Sequence, residues 1–179
     1  GNMGSLQRRN LTRVAGAIET ALFDERLTTE IIGDGYHISP LLMKLAIRSK
    51  GPDRLAIVTD ASPLMGLPPG HYHLWGSDVV LEAETSFLPD RSAFAGSVLP
   101  LDRCVRNVMR LTDVAPADAL RMASGTPAKI LQLDRQTGSL QPGLAADLVI
   151  LDREFRVTHT LVDGEVLYDR SKDIAESGV

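Results

Sequence analysis

The chain has 179 residues, of which 44% are hydrophobic and 23% charged, and its formal net charge at pH 7 is −4. This composition is typical of a globular protein, with enough residues for one domain and a small appendage. An acidic balance without a run of lysine or arginine argues against a nucleic acid or an anionic membrane as partner. No apolar stretch reaches the length of a membrane-spanning helix, and a single cysteine excludes an internal disulfide.

The first part of the chain alternates predicted helices and strands. Residues 1–10 are predicted to form a loop. Apolar residues at helical spacing between 14 and 22 predict a helix, with Thr12 as its candidate cap. Short apolar runs predict strands at 30–33 and 55–59.

A helix is predicted between these two strands. Ser39-Pro40 has the pattern of an N-cap and a first helical residue, and Gly51-Pro52 is expected to end the helix. A strand, a helix and a second strand in this order predict a right-handed βαβ unit with a parallel sheet. Because two such strands cannot form a sheet covered on both faces, we expect the C-terminal part of a larger α/β barrel. A complete small α/β sandwich is the alternative.

The later part of the chain mixes turns, helices and strands. Proline and glycine residues predict a long loop over 63–70, and residues 71–84 predict a β-hairpin about Gly76-Ser77. The small residues of 94–97 predict a loop that opens onto a helix. Helices are predicted to start at Pro100, Pro116 and Thr126-Pro127, and strands at Leu140, 146–151, 157–162 and 165–168.

Two predicted strand ends carry candidate functional residues. Asp60 follows the unbroken apolar run of the second strand, which suits a parallel strand buried on both faces, and α/β folds place their chemistry at the carboxyl ends of such strands. His37 follows the first strand, after Asp34 and two glycines that permit a close backbone approach. We therefore expect Asp60 and His37 at one rim. The alternative is that Asp60 only caps a turn.

Other polar residues point less clearly to a function. His71 and His73 alternate with apolar residues, so they are expected to face outward on the hairpin, with no third metal ligand placed by the pattern. Arg8, Arg9 and Arg13 are either a solvated face or a phosphate site that uses forked hydrogen bonds.

Taken together, these stretches resemble the N-acetylglucosamine-6-phosphate deacetylases, a family of the metal-dependent amidohydrolase superfamily. The resemblance covers nearly the whole chain. Its most specific part is the order of an Asp-Gly-x-His, a Thr-Asp-Ala and an Ala-Gly-Ser motif. The matching stretches are Asn2, 15–18, 32–37, 58–61, 94–97, 105–107, 119–123, 126–128 and 138–149.

The resemblance implies an α/β fold, namely the C-terminal portion of a (β/α)8 barrel with strands of a small β-sandwich subdomain. Residues 1–131 would form the last βα units of the barrel. Residues 132–170 would form the subdomain strands, and 171–179 a polar tail.

The resemblance also implies an activity, the metal-dependent deacetylation of N-acetylglucosamine-6-phosphate to glucosamine-6-phosphate and acetate. Asp60 would be the catalytic acid/base, which takes a proton from the attacking water and returns one to the departing amine. The residues that would bind the substrate are Asn2, Met3, Arg9, Asp34, Gly35, Tyr36, His37, Phe94, Ala95 and Gly96.

The implied cofactor is a divalent metal, zinc or iron. Its ligands in the family, a glutamate and two histidines on earlier strands, would precede residue 1, so no metal ligand is expected within this chain. The segment alone is expected to be inactive. Arg9 would meet the substrate phosphate of a neighbouring subunit, which implies a homodimer, and the expected location is the cytoplasm.

Two other functions stay open at this point. One is a cyclic amidase of the dihydroorotase or allantoinase kind, which also places an aspartate on its last strand. The other is a non-catalytic segment that binds a sugar phosphate.

Overall fold

A computed structural model describes residues 7–9 and 12–172, with side chains described from residue 14 onward. The chain divides into two compact units, residues 1–123 and 124–179. No helix in the described part of the chain has the length and apolar character needed to span a membrane.

In its described part, the first unit contains a parallel pair of strands with helices, a two-stranded antiparallel pair and a four-stranded antiparallel sheet. Its described elements are β1 (Gln7–Arg9), β2 (Thr12–Val14), α1 (Ala17–Phe23), β3 (Thr29–Ile32), α2 (Pro40–Lys50), β4 (Leu55–Val58), β5 (Gly70–Leu74), β6 (Ser77–Leu81), β7 (Thr85–Phe87), β8 (Phe94–Ser97), α3 (Leu101–Thr112) and α4 (Pro116–Ala123).

In its described part, the second unit contains a short helix and a three-stranded antiparallel sheet in the order Glu165–Asp169, Val157–Val162, Leu148–Leu151. Its described elements are α5 (Gly125–Ile130), β9 (Leu148–Leu151), β10 (Val157–Val162) and β11 (Glu165–Asp169).

The predicted βαβ unit is confirmed. β3 and β4 pair in parallel with Ile32 opposite Val58, and α2 connects them. The ladder continues one step further, because the Gly33 N–H donates to the Val58 carbonyl over 3.0 Å. The carboxyl ends of both strands therefore lie at the same edge of the pair.

One hydrophobic core surrounds this parallel pair. Its side chains come from both strands, from the three helices α2, α3 and α4, and from residues beside them. Consecutive residues 55, 56 and 57 of β4 are all buried, as expected for a strand covered on both faces. The buried members of this core are Ile31, Ile38, Met43, Ala46, Leu55, Ile57, Leu99, Cys104, Val105, Val108, Ala119 and Met122.

A second, smaller core lies under the antiparallel sheet β5-β6-β7-β8. Tyr72 and Leu74 of β5 pack against it, while His71 and His73, which alternate with them, are exposed. The prediction that both histidines face outward is confirmed. The buried members of the second core are Leu64, Val79, Leu81 and Val98.

A buried lysine donates hydrogen bonds to the carbonyls at the end of α1. Lys50 is buried, and its ammonium group donates to the carbonyls of Ala21 and Asp24 over 2.9 and 2.7 Å. Carbonyls in the last turn of a helix have no partner within the helix, so a cation placed there both bonds them and complements the helix dipole. The contact links the end of α2 to the end of α1.

The start of the chain differs from its prediction. Gln7–Arg9, expected in a loop, forms β1 and pairs antiparallel with β2. Thr12 is therefore a strand residue and not a helix cap. The helix begins only at Ala17, where the Gly16 N–H donates to the Glu19 carboxylate over 2.8 Å. This glutamate closes the first turn in the manner of a capping box.

Two later predictions are also wrong. Residues 94–97, expected to be a loop, form β8, because β7 supplies backbone partners that the local sequence does not reveal. Leu140 is not in a strand. It is 86% exposed in a segment of local turns, so no neighbouring strand covers it.

The single cysteine is a core residue. Cys104 of α3 is fully buried, and burial, together with the negative charges of Asp34 and Asp102, raises the pKa of its thiol to about 12. The thiol is therefore protonated at neutral pH and packs as a small apolar group.

Gly33, where β3 ends, has no room for a side chain. An added Cβ would lie 2.8 Å from the Cys104 Cβ and 2.9 Å from the Ile57 Cγ2, so the packing between β4 and α3 would have to shift. We expect Gly33→Ala to lower the free energy of unfolding by about 1–3 kcal/mol in denaturant titrations.

Gly70→Ala is the matched control for Gly33→Ala. A Cβ at Gly70 would meet only the Tyr72 ring at 3.5 Å, an ordinary contact distance. Equal destabilisation by the two substitutions would contradict the packing assigned to the end of β3.

Candidate active site

A tight turn of residues 34–37 follows β3, and a buried carboxylate organises it. Asp34 is 3% exposed. Its Oδ1 accepts from the backbone N–H groups of Tyr36 and His37 over 2.9 and 3.1 Å, and its Oδ2 lies 2.7 Å from the His37 Nδ1. Both carboxylate oxygens are therefore engaged within the turn.

These hydrogen bonds keep Asp34 ionised. Burial alone would raise its pKa, but the bond to the His37 ring and the two backbone N–H groups outweigh burial and hold the pKa below the ordinary value. An ionised acceptor requires a proton on the His37 Nδ1. The Nε2 atom is then the ring nitrogen that is available to a ligand.

Asn107 supports the turn from α3. It is buried, and its amide donates to the Asp34 carbonyl over 2.9 Å. No role of Asn107 was predicted from the sequence. Its signal was a polar side chain on the apolar face of the helix, between Cys104 and Val108, where a buried polar group must find a partner.

Gly35 occupies the left-handed region, with φ of +85°, which the turn requires at this position. An added Cβ would lie 3.2 Å from the Leu111 side chain. Both observations account for a glycine between Asp34 and Tyr36.

Asp60 follows β4 with a fixed backbone and an exposed side chain. Its carbonyl accepts from the Ser97 N–H over 3.0 Å, and the Ser62 N–H donates to the Ser97 carbonyl over 2.8 Å. The residue is left-handed, with φ of +53°, a conformation that aspartate tolerates better than most residues. Within the described part of the chain, no hydrogen-bond donor reaches its carboxylate.

Gly96 permits the close approach of β8 to Asp60. Its φ is +86°, and an added Cβ would lie 3.2 Å from the Ser62 Cβ and 3.4 Å from the Asp60 carbonyl. Behind this strand, the buried Ser86 hydroxyl is 3.1 Å from the carbonyls of both Ala95 and Gly96, in position to donate to them. The backbone of β8 is thus held on the side away from Asp60.

Phe94, at the other end of β8, contacts the turn after β3. Its ring centroid lies 4.8 Å from that of His37 and 6.4 Å from that of Tyr36. Phe94 and Tyr36 remain 43% and 44% exposed. Since Ser97 pairs with the Asp60 backbone, the single strand β8 links the two predicted strand-end sites along one rim.

The side chains of three predicted substrate-binding residues are outside the described part of the chain. Asn2 and Met3 are outside the described residues, and Arg9 is described only as part of the backbone of β1. Across residues 7–9 and 12–172, no three side chains of His, Cys, Asp or Glu are grouped to hold a metal ion.

The ionised Asp34 predicts a pH-dependent stability. Because its folded-state pKa lies below its unfolded value, it stabilises the fold above about pH 4, and this contribution is lost as the pH falls through the lower folded-state value. We expect Asp34→Asn to lower the free energy of unfolding by about 1–3 kcal/mol at pH 7. The difference from wild type should shrink below pH 4 in denaturant titrations.

Asp90→Asn is the control for Asp34→Asn. Asp90 also accepts hydrogen bonds within a turn, from Ser92, but it is exposed, so solvent screens the loss. A difference between wild type and Asp34→Asn that stays constant from pH 7 to pH 3 would contradict the ionised state assigned to Asp34.

Comparison with known proteins identifies the relatives of this chain. It is 36% identical over 154 residues to the N-acetylgalactosamine-6-phosphate deacetylase of Escherichia coli O157:H7. The matched region covers 86% of this chain and 40% of the relative. It is also 35% identical over 138 residues to the N-acetylglucosamine-6-phosphate deacetylase of Bos taurus. This matched region covers 77% of this chain and 34% of the relative. The chain thus spans well under half the length of these two relatives.

The fold of the chain matches solved structures as well. One is an aspartate-to-alanine mutant of the N-acetyl-D-glucosamine-6-phosphate deacetylase of Mycobacterium smegmatis in complex with N-acetyl-D-glucosamine-6-phosphate, with a TM-score of 0.80 and 28% identity over 92% of this chain and 44% of that one. The model of the amidohydrolase family matches residues 18–167. The chain therefore belongs to the amidohydrolase family.

Proposed function

We propose that the complete protein hydrolyses the acetamide bond of N-acetylglucosamine-6-phosphate and releases acetate and glucosamine-6-phosphate. The observation that carries this proposal is the exposed Asp60 carboxylate, held on a fixed backbone beside the 34–37 turn. The names of the relatives support the reaction and the substrate class. The M. smegmatis relative was solved as an aspartate-to-alanine mutant in complex with N-acetyl-D-glucosamine-6-phosphate, which supports this sugar phosphate as the ligand.

Asp60 is proposed as the general acid/base. Amide hydrolysis requires that the attacking water lose a proton and that the departing amine gain one, and a single carboxylate can do both in turn. Its fixed backbone limits the positions that the carboxylate can reach, which favours a productive geometry. Its exposure leaves it open to water and substrate.

The substrate is proposed to lie between Asp60 and the 34–37 turn. The exposed rings of Tyr36 and Phe94 offer apolar surface to the sugar, and the His37 Nε2 offers a polar contact. The backbone of Gly35, Ala95 and Gly96 would border the pocket. Asp34 would act indirectly, because its carboxylate is already used to hold His37.

Two further proposals concern residues whose side chains are outside the described part of the chain. Asn2 and Met3 are proposed to contact the sugar phosphate. Arg9 is proposed to reach the phosphate bound by a second subunit, so the complete protein would be a homodimer. The proposed location is the cytoplasm.

The finer description of the fold is likewise a proposal. We assign the parallel pair β3 and β4 to the end of a (β/α)8 barrel, with residues 1–131 as its last βα units. The three-stranded sheet β9–β11, within 132–170, is assigned to a small β-sandwich subdomain, and residues 171–179 to a polar tail. The parallel register of β3 and β4 supports the first assignment.

The amidohydrolase family is generally metal-dependent, and the proposed cofactor here is a divalent zinc or iron ion. At the carboxyl ends of β3 and β4, the described residues offer a single exposed carboxylate, that of Asp60, and no three His, Cys, Asp or Glu side chains among the described residues are grouped to hold a metal ion. Such an ion supplies an activated water and polarises the amide carbonyl. No role in holding it is assigned to the described residues.

The galactosamine epimer is a second candidate substrate. The E. coli O157:H7 relative, 36% identical to this chain, is named for N-acetylgalactosamine-6-phosphate. The two epimers differ only in the configuration of one hydroxyl, so both substrates should be measured side by side.

Replacement of Asp60 by asparagine tests the acid/base role. We expect Asp60→Asn to lower kcat by about 10²–10⁴-fold in the complete protein, because a positioned proton transfer contributes that factor. Acetate release from N-acetylglucosamine-6-phosphate is the measurement. Asp78→Asn, at another exposed aspartate in the β5–β6 hairpin, is the control and should retain wild-type activity.

The folded state of Asp60→Asn should be unchanged, since no described residue donates to the carboxylate; circular dichroism checks this. Near-normal turnover in a folded Asp60→Asn protein would end the assignment.

Removal of the metal tests the cofactor proposal. We expect dialysis of the complete protein against a chelator to abolish deacetylation, and added zinc or iron(II) to restore it. Elemental analysis before and after dialysis follows the metal content. Full activity in a protein shown to be metal-free would contradict the proposal.

A further inference from the structure

Glu84 joins three separate segments beside the proposed substrate pocket. It lies in the connection between β6 and β7 and is half-buried. Its Oε2 accepts from the Tyr36 hydroxyl over 2.9 Å, and its Oε1 accepts from the Arg103 guanidinium over 2.5 Å. The Glu84 carboxylate therefore connects the 34–37 turn, the antiparallel sheet β5-β6-β7-β8 and α3.

We propose that Glu84 is a positioning residue for substrate binding: through the Tyr36 hydroxyl it fixes the 34–37 turn against Phe94. This inference rests on the proposed function, because it concerns the wall that would hold the sugar. Neither the sequence motifs nor the relatives' names assign a role to Glu84 or Arg103.

The turn is held from two sides, and Glu84 supplies the outer one. On the inner side, Asp34 accepts from the Tyr36 backbone N–H. On the outer side, the Tyr36 ring extends to Glu84, which directly precedes Thr85 of β7. Since β7 pairs with β8, Glu84 belongs to the same sheet that carries Phe94. One hydrogen bond thus connects the sheet to the turn.

Arg103 determines how Glu84 acts. A half-exposed ion pair such as theirs contributes little stability by itself. The Arg103 guanidinium, however, donates to one oxygen of the Glu84 carboxylate and leaves the other oxygen to accept from the Tyr36 hydroxyl. The positive charge also offsets that of the glutamate, which would otherwise repel an anionic sugar phosphate.

The state of Tyr36 agrees with this arrangement. The hydrogen bond to Glu84 and, to a smaller extent, burial raise the pKa of the Tyr36 phenol above its ordinary value. The hydroxyl therefore stays protonated and remains a donor at neutral pH.

The first test is kinetic and uses the complete protein with N-acetylglucosamine-6-phosphate and its galactosamine epimer. Glu84→Ala and Tyr36→Phe should each raise KM about three- to tenfold, the factor expected for one hydrogen bond of ordinary strength, with kcat changed by less than about twofold. The double variant should be no worse than either single one, since both remove the same contact. Glu84→Gln, which keeps an acceptor oxygen, should restore part of the affinity.

Glu82→Gln is the matched control. Glu82 lies two residues earlier in the same connection, and it pairs with the exposed Arg91 over 2.7 Å, away from Tyr36. Its KM should equal that of wild type.

The second test does not depend on activity. Hydrogen exchange measured by mass spectrometry on a peptide covering 34–37 should be faster in Glu84→Ala and Tyr36→Phe than in wild type and Glu82→Gln, because the turn loses its outer support. Unchanged exchange would overturn the inference, whatever the activity.

The two tests separate the inference from the proposed function. If wild type deacetylates a substrate and the Glu84 and Tyr36 variants keep its KM, the inference is wrong and the function stands. If wild type hydrolyses neither epimer, the proposed function is wrong, and the inference is wrong as a statement about substrate binding. The hydrogen-exchange rate of the 34–37 peptide still decides whether Glu84 fixes the turn.

Discussion

The candidate site depends on the parallel register of β3 and β4. With Ile32 opposite Val58, the residues after each strand emerge at the same edge, and the Gly33 N–H extends the ladder by one more bond. A slip of one residue would turn the buried side chains of these strands to the opposite face, so the core that encloses β4 fixes the register strongly. The positions of Asp60 and the 34–37 turn follow from that packing.

A second constraint comes from β8, whose two ends touch the two strand ends. Ser97 bonds the backbone beside Asp60, and the Phe94 ring packs on His37. The glycine between them makes this approach possible, since Gly96 adopts a left-handed conformation close to the Asp60 carbonyl. Backbone hydrogen bonds thereby place the backbone of Asp60, whose side chain remains exposed.

The elements that a local sequence pattern determines could be predicted from the sequence. The apolar run before Asp60 and the Ser39-Pro40 helix start both lie where expected, because burial and the preference of proline for the first helical position act over a few residues. Predictions were wrong where segments that are distant in the sequence determine the structure. The small residues of β8 have weak strand preference of their own, and only pairing with β7 makes them a strand. Asn107 and Glu84 gained their roles from partners 73 and 48 residues away.

The buried thiol of Cys104 has a practical consequence for spectroscopy on this molecule. It is the sole cysteine of the sequence, it is sealed within the core, and its raised pKa keeps it in the unreactive protonated form. Within this chain, a maleimide dye or nitroxide label would therefore couple selectively to a cysteine introduced at the surface. Distances across the rim can then be followed by fluorescence or electron spin resonance without first removing the natural thiol.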